Sequence, residues 1–344
     1  MVSSKKVIKK YLGLKMLTET VHFPSAYQYI DERDIGAIIQ ILRDVLAGGV
    51  ILQNPSSIKP LVENWPTVYR KKGQEIFEQL EKRKRFIDKV VSQSNDLDLC
   101  DFSTCSGLYN IFRRSNGEVY VILSNDCLHC HTIQEENVVT KDDHIVNFRE
   151  YQLSGLPERI HANLKLSLSN REWNKLEFER KVLVPILRHT KKLKIYDRQI
   201  GRTVTIKEGK VSMKKGFERD LKWIIDTFIK NSSPDFVEIC CGLYPKKDDK
   251  EDEVDAKKKF LLAWGEKLTR EHRFPVNMRV KREEPNNQAP HARYIVTDQV
   301  CLLVERGFEL TNDDNSIRDV ALVLMEEPGE LDVSFNRLGD IERA

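Results

Sequence analysis

The run PHARYIVTDQVCLLVERGF near the C-terminus carries the side chains best suited to chemistry: His291, Arg293 two residues on, and Asp298 five residues after that. Alternate residues of a strand project to one face, so the imidazole and the guanidinium are expected side by side. That pairing suits a phosphoryl group. The imidazole can attack phosphorus or carry a proton, while the guanidinium grips two phosphoryl oxygens and balances developing charge. The same spacing also fits an ordinary exposed strand face.

A second constellation is built from thiols. Cys100 and Cys105 precede a turn-like segment, and Cys127 and Cys130 follow it, with His131 next in sequence. Cys127 and Cys130, three positions apart, can share a tetrahedral zinc ion, and a hairpin between them and the looser Cys-x4-Cys pair would bring the two pairs together. Structural zinc is therefore the cofactor this spacing allows, and none is required elsewhere. His129 and His144 are substitute ligands, and small apolar packing is the alternative for Cys100 and Cys105.

The third feature is a basic block that includes Lys191, Lys192, Lys194, Arg198, Arg202, Lys207, Lys210, Lys214, Lys215, Arg219 and Lys222. Clustered cations of this kind suit a phosphate backbone with strongly salt-dependent binding, or simply a solvated surface. Tyr196 and Trp223, the nearby aromatics, are expected in the core.

Residues 1–95 look mostly helical: Ile35, Ile38, Ile39, Leu42 and Leu46 fall at helical spacing, and Gly48 and Gly49 signal a stop. A longer helical stretch from about Ser57 to Val91 carries Pro66 and Gly73, which predict two helices or one bent helix. Residues 96–171 form a Cys-rich region in which IFRRSNGEVYVIL reads as a hairpin turning at Ser115, Asn116 and Gly117. The segment LSLSNREWNKLEFERKVLVPILRHTKK reads as a helix capped around Ser169 and Asn170. Beyond it, KLKIYDR, DFVEICCGLY, PVNMRVKR, ARYIVT, VCLLVE and IRDVALVLME read as strands, and two helices interleave the first three. The fold class is thus α+β or α/β: a helical N-terminal region, a small hairpin region and a C-terminal mixed-sheet domain over 172–344.

The His-x-Arg-x4-Asp spacing and this order of elements resemble the phospholipase D superfamily over about residues 172–326. The likeness is strongest to the phospholipase D-like domain at the C-terminus of microtubule-interacting-and-transport proteins. There too the motif strand carries His-x-Arg, and a following hairpin ends in Gly-Arg-Gly, where this chain has Glu305, Arg306, Gly307 and Phe308. The segment IYDRQIG is similar to that group's strand I-x-D-x-Y-I. The resemblance implies a phosphate pocket around His291, Arg293 and Arg306, with the loop after KLKIYDRQIG near the motif strand. It also implies a rule about number: catalytic members bring two motifs together, and this chain has one. Arg293 stands where they have lysine, and Glu305 to Phe308 replace their Gly-Ser-x-Asn segment.

Composition narrows the classes. With 344 residues the chain has room for about two domains, and 40% hydrophobic residues suffice for packed cores. No stretch approaches a membrane span, and the basic start lacks a signal peptide's apolar run. The seven cysteines, odd in number, fit reduced thiols better than a disulfide framework. No P-loop, GxGxxG turn, GxSxG elbow or HExxH helix occurs. The net charge of +3 hides blocks of +6 over 1–95, −6 over 96–155, +10 over 156–234 and −7 over 235–344. The expectation is a cytoplasmic protein that binds phosphate or nucleic-acid backbone, as a subunit of a larger assembly with a protein partner or a second copy. Two alternatives stand beside it. One is a dimeric, metal-independent phosphodiesterase or nuclease using His291; the other is a peripheral module on acidic membrane surfaces.

Overall fold

A computed structural model describes residues 16–28, 31–53, 55–87, 105, 119–124, 127, 130–131, 144–244, 251–284, 292–325 and 331–338. The chain divides into two compact units, Met1–Leu164 and Lys165–Ala344. None of the described helices is long and apolar enough to cross a membrane.

Unit 1 is built on a four-stranded parallel sheet in the order β2-β1-β3-β4, with β1 Thr18–His22, β2 Gly49–Ile51, β3 Tyr120–Leu123 and β4 Ile145–Asn147. Its helices are α1 Ser25–Gln28, α2 Glu32–Gly48, α3 Lys59–Glu63, α4 Thr67–Lys82 and α5 Leu156–Ala162. Asp31 caps α2 by accepting from the N–H groups of Arg33 and Asp34, and the expected stripe Ile35, Ile38, Ile39, Leu42 and Leu46 is buried.

The N-terminal region is therefore not simply helical. Residues 18–22 and 49–51 supply two strands, which periodicity missed because TETVH is buried at every position and shows no alternation. The expected hairpin also changes partners. The returning arm is β3, but both its edges are occupied by parallel strands, β1 and β4, so it has no edge left for an antiparallel neighbour. The other arm lies outside the described residues. The helical break falls at Pro66, before α4, while Gly73 stays inside that helix because a Cβ there would meet Val62 Cγ1 at 2.7 Å and Trp65 Cζ3 at 2.9 Å.

Unit 2 is a seven-stranded mixed sheet in the order β10-β9-β6-β11-β12-β13-β5. Its strands are β5 Lys165–Leu168, β6 Lys192–Tyr196, β9 Phe236–Leu243, β10 Val276–Arg282, β11 Arg293–Thr297, β12 Cys301–Val304 and β13 Val320–Met325. Strands β10, β9 and β6 run parallel, and each pairing from β6 through β11, β12 and β13 to β5 is antiparallel. Helices α6 Lys175–Phe178 and α7 Val184–Leu187 flank a π-helical turn at Glu179–Leu183. They are followed by α8 Arg198–Arg202, α9 Lys215–Asn231, α10 Glu251–His272 and α11 Leu331–Asn336. A small hairpin, β7 Thr205–Lys207 with β8 Lys210–Ser212, stands apart from the main sheet.

The unit opens with β5, in residues read as part of a helix. The helix proper starts later, where Asn174 and Glu177 form a reciprocal capping box. Strand β9 is buried along nearly its whole length, which explains the apolar pair Cys240 and Cys241; neither they nor any other described cysteine forms a disulfide.

Candidate functional site

Arg293 opens β11, antiparallel to β6, and so lies where β6 ends. Next after β6 comes Asp197, which leaves the sheet in an extended conformation and caps α8 by accepting from the N–H of Gln199 at 2.7 Å. Arg293 Nε lies 3.8 Å from Asp197 Oδ1, with the carboxylate fully buried and the arginine side chain 15% exposed. Burial pushes the Asp197 carboxyl up to about 6, opposed by the Gln199 N–H and the Arg293 charge.

A turn closes over this pair. Arg306 and Gly307 both have left-handed backbone, φ 72° and 86°. A Cβ at Gly307 would lie 3.3 Å from Asp197 Oδ2 and 3.5 Å from Arg293 Nε. Glycine thus serves both the conformation and the close approach. Arg306 itself points to an ion pair with Asp319. His291, the other half of the motif, lies outside the described residues.

Asp298 is elsewhere. It sits past the far end of β11, five residues or roughly 16 Å of strand from Arg293, and accepts from the backbone N–H of Lys191 at 3.1 Å. Sequence spacing placed it with the motif, but a strand carries its two ends to opposite edges of the sheet.

Most of the basic block faces carboxylates. Lys194 pairs with Asp332 at 2.9 Å, Arg198 and Arg202 each with Glu283 at 3.4 Å, Lys214 with Glu309 at 2.6 Å, and Lys222 with Glu271 at 2.6 Å. Arg219 bridges Asp220 and Asp313. The +10 block is thus matched in space largely by the −7 block that follows it. Arg198 is 4% exposed and Glu283 buried, so that pair is interior structure. Exposed lysines with no carboxylate partner among the described residues are Lys191 and Lys192, before and at the start of β6, and Lys207, Lys210 and Lys215, around the small hairpin and the start of α9. Both aromatics of the block serve the core: Tyr196 donates to Asp332, and Trp223 Nε1 donates to Glu179 at 2.6 Å.

In unit 1, the thiols of Cys105, Cys127 and Cys130 lie within 4.8 Å of one another. Cys130 is buried and the other two are half-buried. The cluster sits at the C-terminal edge of the parallel sheet: Ser25 Oγ, which accepts from the N–H of Ser124 just after β3, is 3.2 Å from Cys130 Sγ. Hydrogen bonds, first from Cys130 and then from Ser25 and Cys127, pull the Cys105 thiol down to about 6 against the effect of burial. Three soft donors from two separated chain segments, one easily ionised, fit a thiophilic cation. Cys100 and His129 lie outside the described residues. His144 is not a neighbour of the cluster: it precedes β4 and packs on Tyr120 at 4.7 Å, at the opposite, N-terminal edge.

No family model and no curated protein matches this chain.

Proposed function

We propose that unit 2 binds phosphate groups of a nucleic-acid backbone, on a single-motif domain resembling phospholipase D, and works within a larger assembly. The carrying observation is the β7–β8 hairpin, where Lys207 and Lys210 are direct cross-strand partners and both exposed. Like charges placed opposite each other repel, and a bound phosphate would relieve that repulsion beyond what Glu208 in the turn between them supplies. Lys215 extends this cationic surface at the start of α9. Binding is favoured over catalysis because Arg293 is committed to Asp197 and Asp298 is remote.

The test is a gel shift with DNA and RNA at two salt concentrations, comparing wild type with the Lys207→Glu, Lys210→Glu double variant. Loss of most of the affinity is expected; unchanged affinity and salt slope would remove the hairpin from the proposal. Incubation of substrates in EDTA, with His291→Ala as control, tests the phosphodiesterase alternative, and no cleavage is expected.

The thiol cluster supports a separate proposal for unit 1. Cys105, Cys127 and Cys130 would hold Zn²⁺ as a structural staple at the end of the sheet, its chemistry being only to cross-link the chain. Metal analysis of the purified protein is expected to find about one equivalent of zinc per chain, lost in Cys130→Ser. Absence of metal from protein produced with zinc supplied would overturn this assignment.

A further inference from the structure

A cavity of about 500 Å³ lies between α8, strand β7, the end of β9 and the first turns of α10. None of Asp197, Arg293, Arg306 or Gly307 lines it. Its place is the carboxyl end of β9, one of three parallel strands, where open α/β sheets bind ligands.

The lining has two characters. Val204, Leu243 and Val254 are buried and apolar, and Ile206 and Tyr244 add to them. Among the described residues that line it, Arg202, Lys207 and Lys257 bring cations and Glu253 a carboxylate. Arg202 is fixed in advance: its guanidinium lies over the Tyr244 ring, 5.4 Å from the centroid, and pairs with Glu283 at 3.4 Å. The wall is equally firm, because a Cβ at Gly201 would fall 2.1 Å from the carbonyl oxygen of Gly242, so α8 lies directly on β9.

We propose that this cavity takes one nucleotide unit, its base against Tyr244 and the apolar floor and its phosphate at Lys207. The inference rests on the phosphate reading of unit 2 and sharpens it. A duplex presents only its backbone at such a surface and a lipid headgroup offers no flat ring, so neither uses the apolar floor. A base uses it, because every base has a π-face that stacks on an aromatic or guanidinium plane. The volume lies within the range of small-molecule sites. The ligand is therefore a flexible single strand, or a free nucleotide.

The full-length protein is titrated with four probes: a labelled single strand on the order of 12 nucleotides, the same sequence as duplex, adenosine monophosphate, and vesicles of phosphatidylcholine doped with phosphatidylserine. The single strand is expected to bind at least roughly tenfold more tightly than the duplex, with adenosine monophosphate competing. Tyr244→Ala is expected to weaken single-strand binding roughly tenfold and leave duplex binding unchanged, while Tyr244→Phe retains it. Thermal melts of both variants control for folding, and Ile206→Trp, which fills the cavity from a half-buried position, gives a second block.

Equal affinity for single strand and duplex, or binding indifferent to Tyr244→Ala and Ile206→Trp, would overturn the inference and leave backbone binding standing. Binding of adenosine monophosphate that depends on Tyr244, without binding of either oligonucleotide, would support the cavity and overturn the backbone reading. Binding to vesicles alone, or to none of the four probes, would overturn both.

Discussion

Asp197 is the residue on which the motif strand, the first helix after β6 and the Arg306–Gly307 turn converge. Spacing within the motif did not single it out, since its partner Arg293 is 96 positions away (293 − 197) and only the antiparallel pairing of β11 with β6 brings them together. Its burial has a measurable consequence. A carboxyl raised from 3.8 to about 6 favours folding while protonated. That contribution is complete below about pH 4 and is lost as pH rises through about 6. In urea titrations, the unfolding free energy of wild type relative to Asp197→Asn is expected to fall by about 3 kcal/mol between those limits. A flat difference would mean that the carboxylate is better solvated than its position indicates. His22 behaves oppositely in unit 1. Buried, with Nδ1 2.5 Å from the Tyr27 hydroxyl, its imidazole is held down to about 3. Its contribution is present above about pH 6.5 and lost as pH falls toward 3. His22→Asn is expected to remove that acid dependence from the unfolding of unit 1.

At the level of elements, two helical glycines distinguish what periodicity can see from what it cannot. A Cβ added at Gly36 in α2 would have nothing within 4 Å, whereas one at Gly73 in α4 would meet Val62 and Trp65. Gly36→Ala is therefore expected to stabilise by about 0.5–1 kcal/mol, through helix propensity and a more restricted unfolded chain. Gly73→Ala is expected to destabilise by about 1–3 kcal/mol, through overpacking against α3 and its following turn. Melting temperatures of the two variants, moving in opposite directions, would check both. From sequence, Gly73 reads as a helix breaker; in the fold it is a contact point. The same distinction explains the strands of unit 1. Half-buried α2 announces itself by an apolar stripe, but β1, covered on both faces, has no period to display.

For the whole molecule, the charge blocks acquire a meaning that their sums conceal. Folding places Glu238, Glu271, Glu283, Glu309 and Asp332 against cations of the preceding block, leaving exposed Lys191 and Lys192 before and at the start of β6 and Lys207, Lys210 and Lys215 around the β7–β8 hairpin. With about three phosphate-facing lysines, the logarithm of nucleic-acid affinity should fall with the logarithm of salt at a slope near −3. A slope near −10, as expected if the whole block were open, would show that the ion pairs give way on binding. The sequence alone was enough to read six strands of the main sheet and the two long helices of unit 2, because amphipathic and apolar runs are local signals, but not β5, the β7–β8 hairpin or the short helices α8 and α11. It also located the motif arginine, the basic block and three cysteines that meet. It did not reveal that Asp298 leaves the motif, that Tyr244 and Lys257 share a cavity, or which cations are neutralised. Those facts depend on strand order and direction, which join residues tens of positions apart, and only tertiary structure sets such distances.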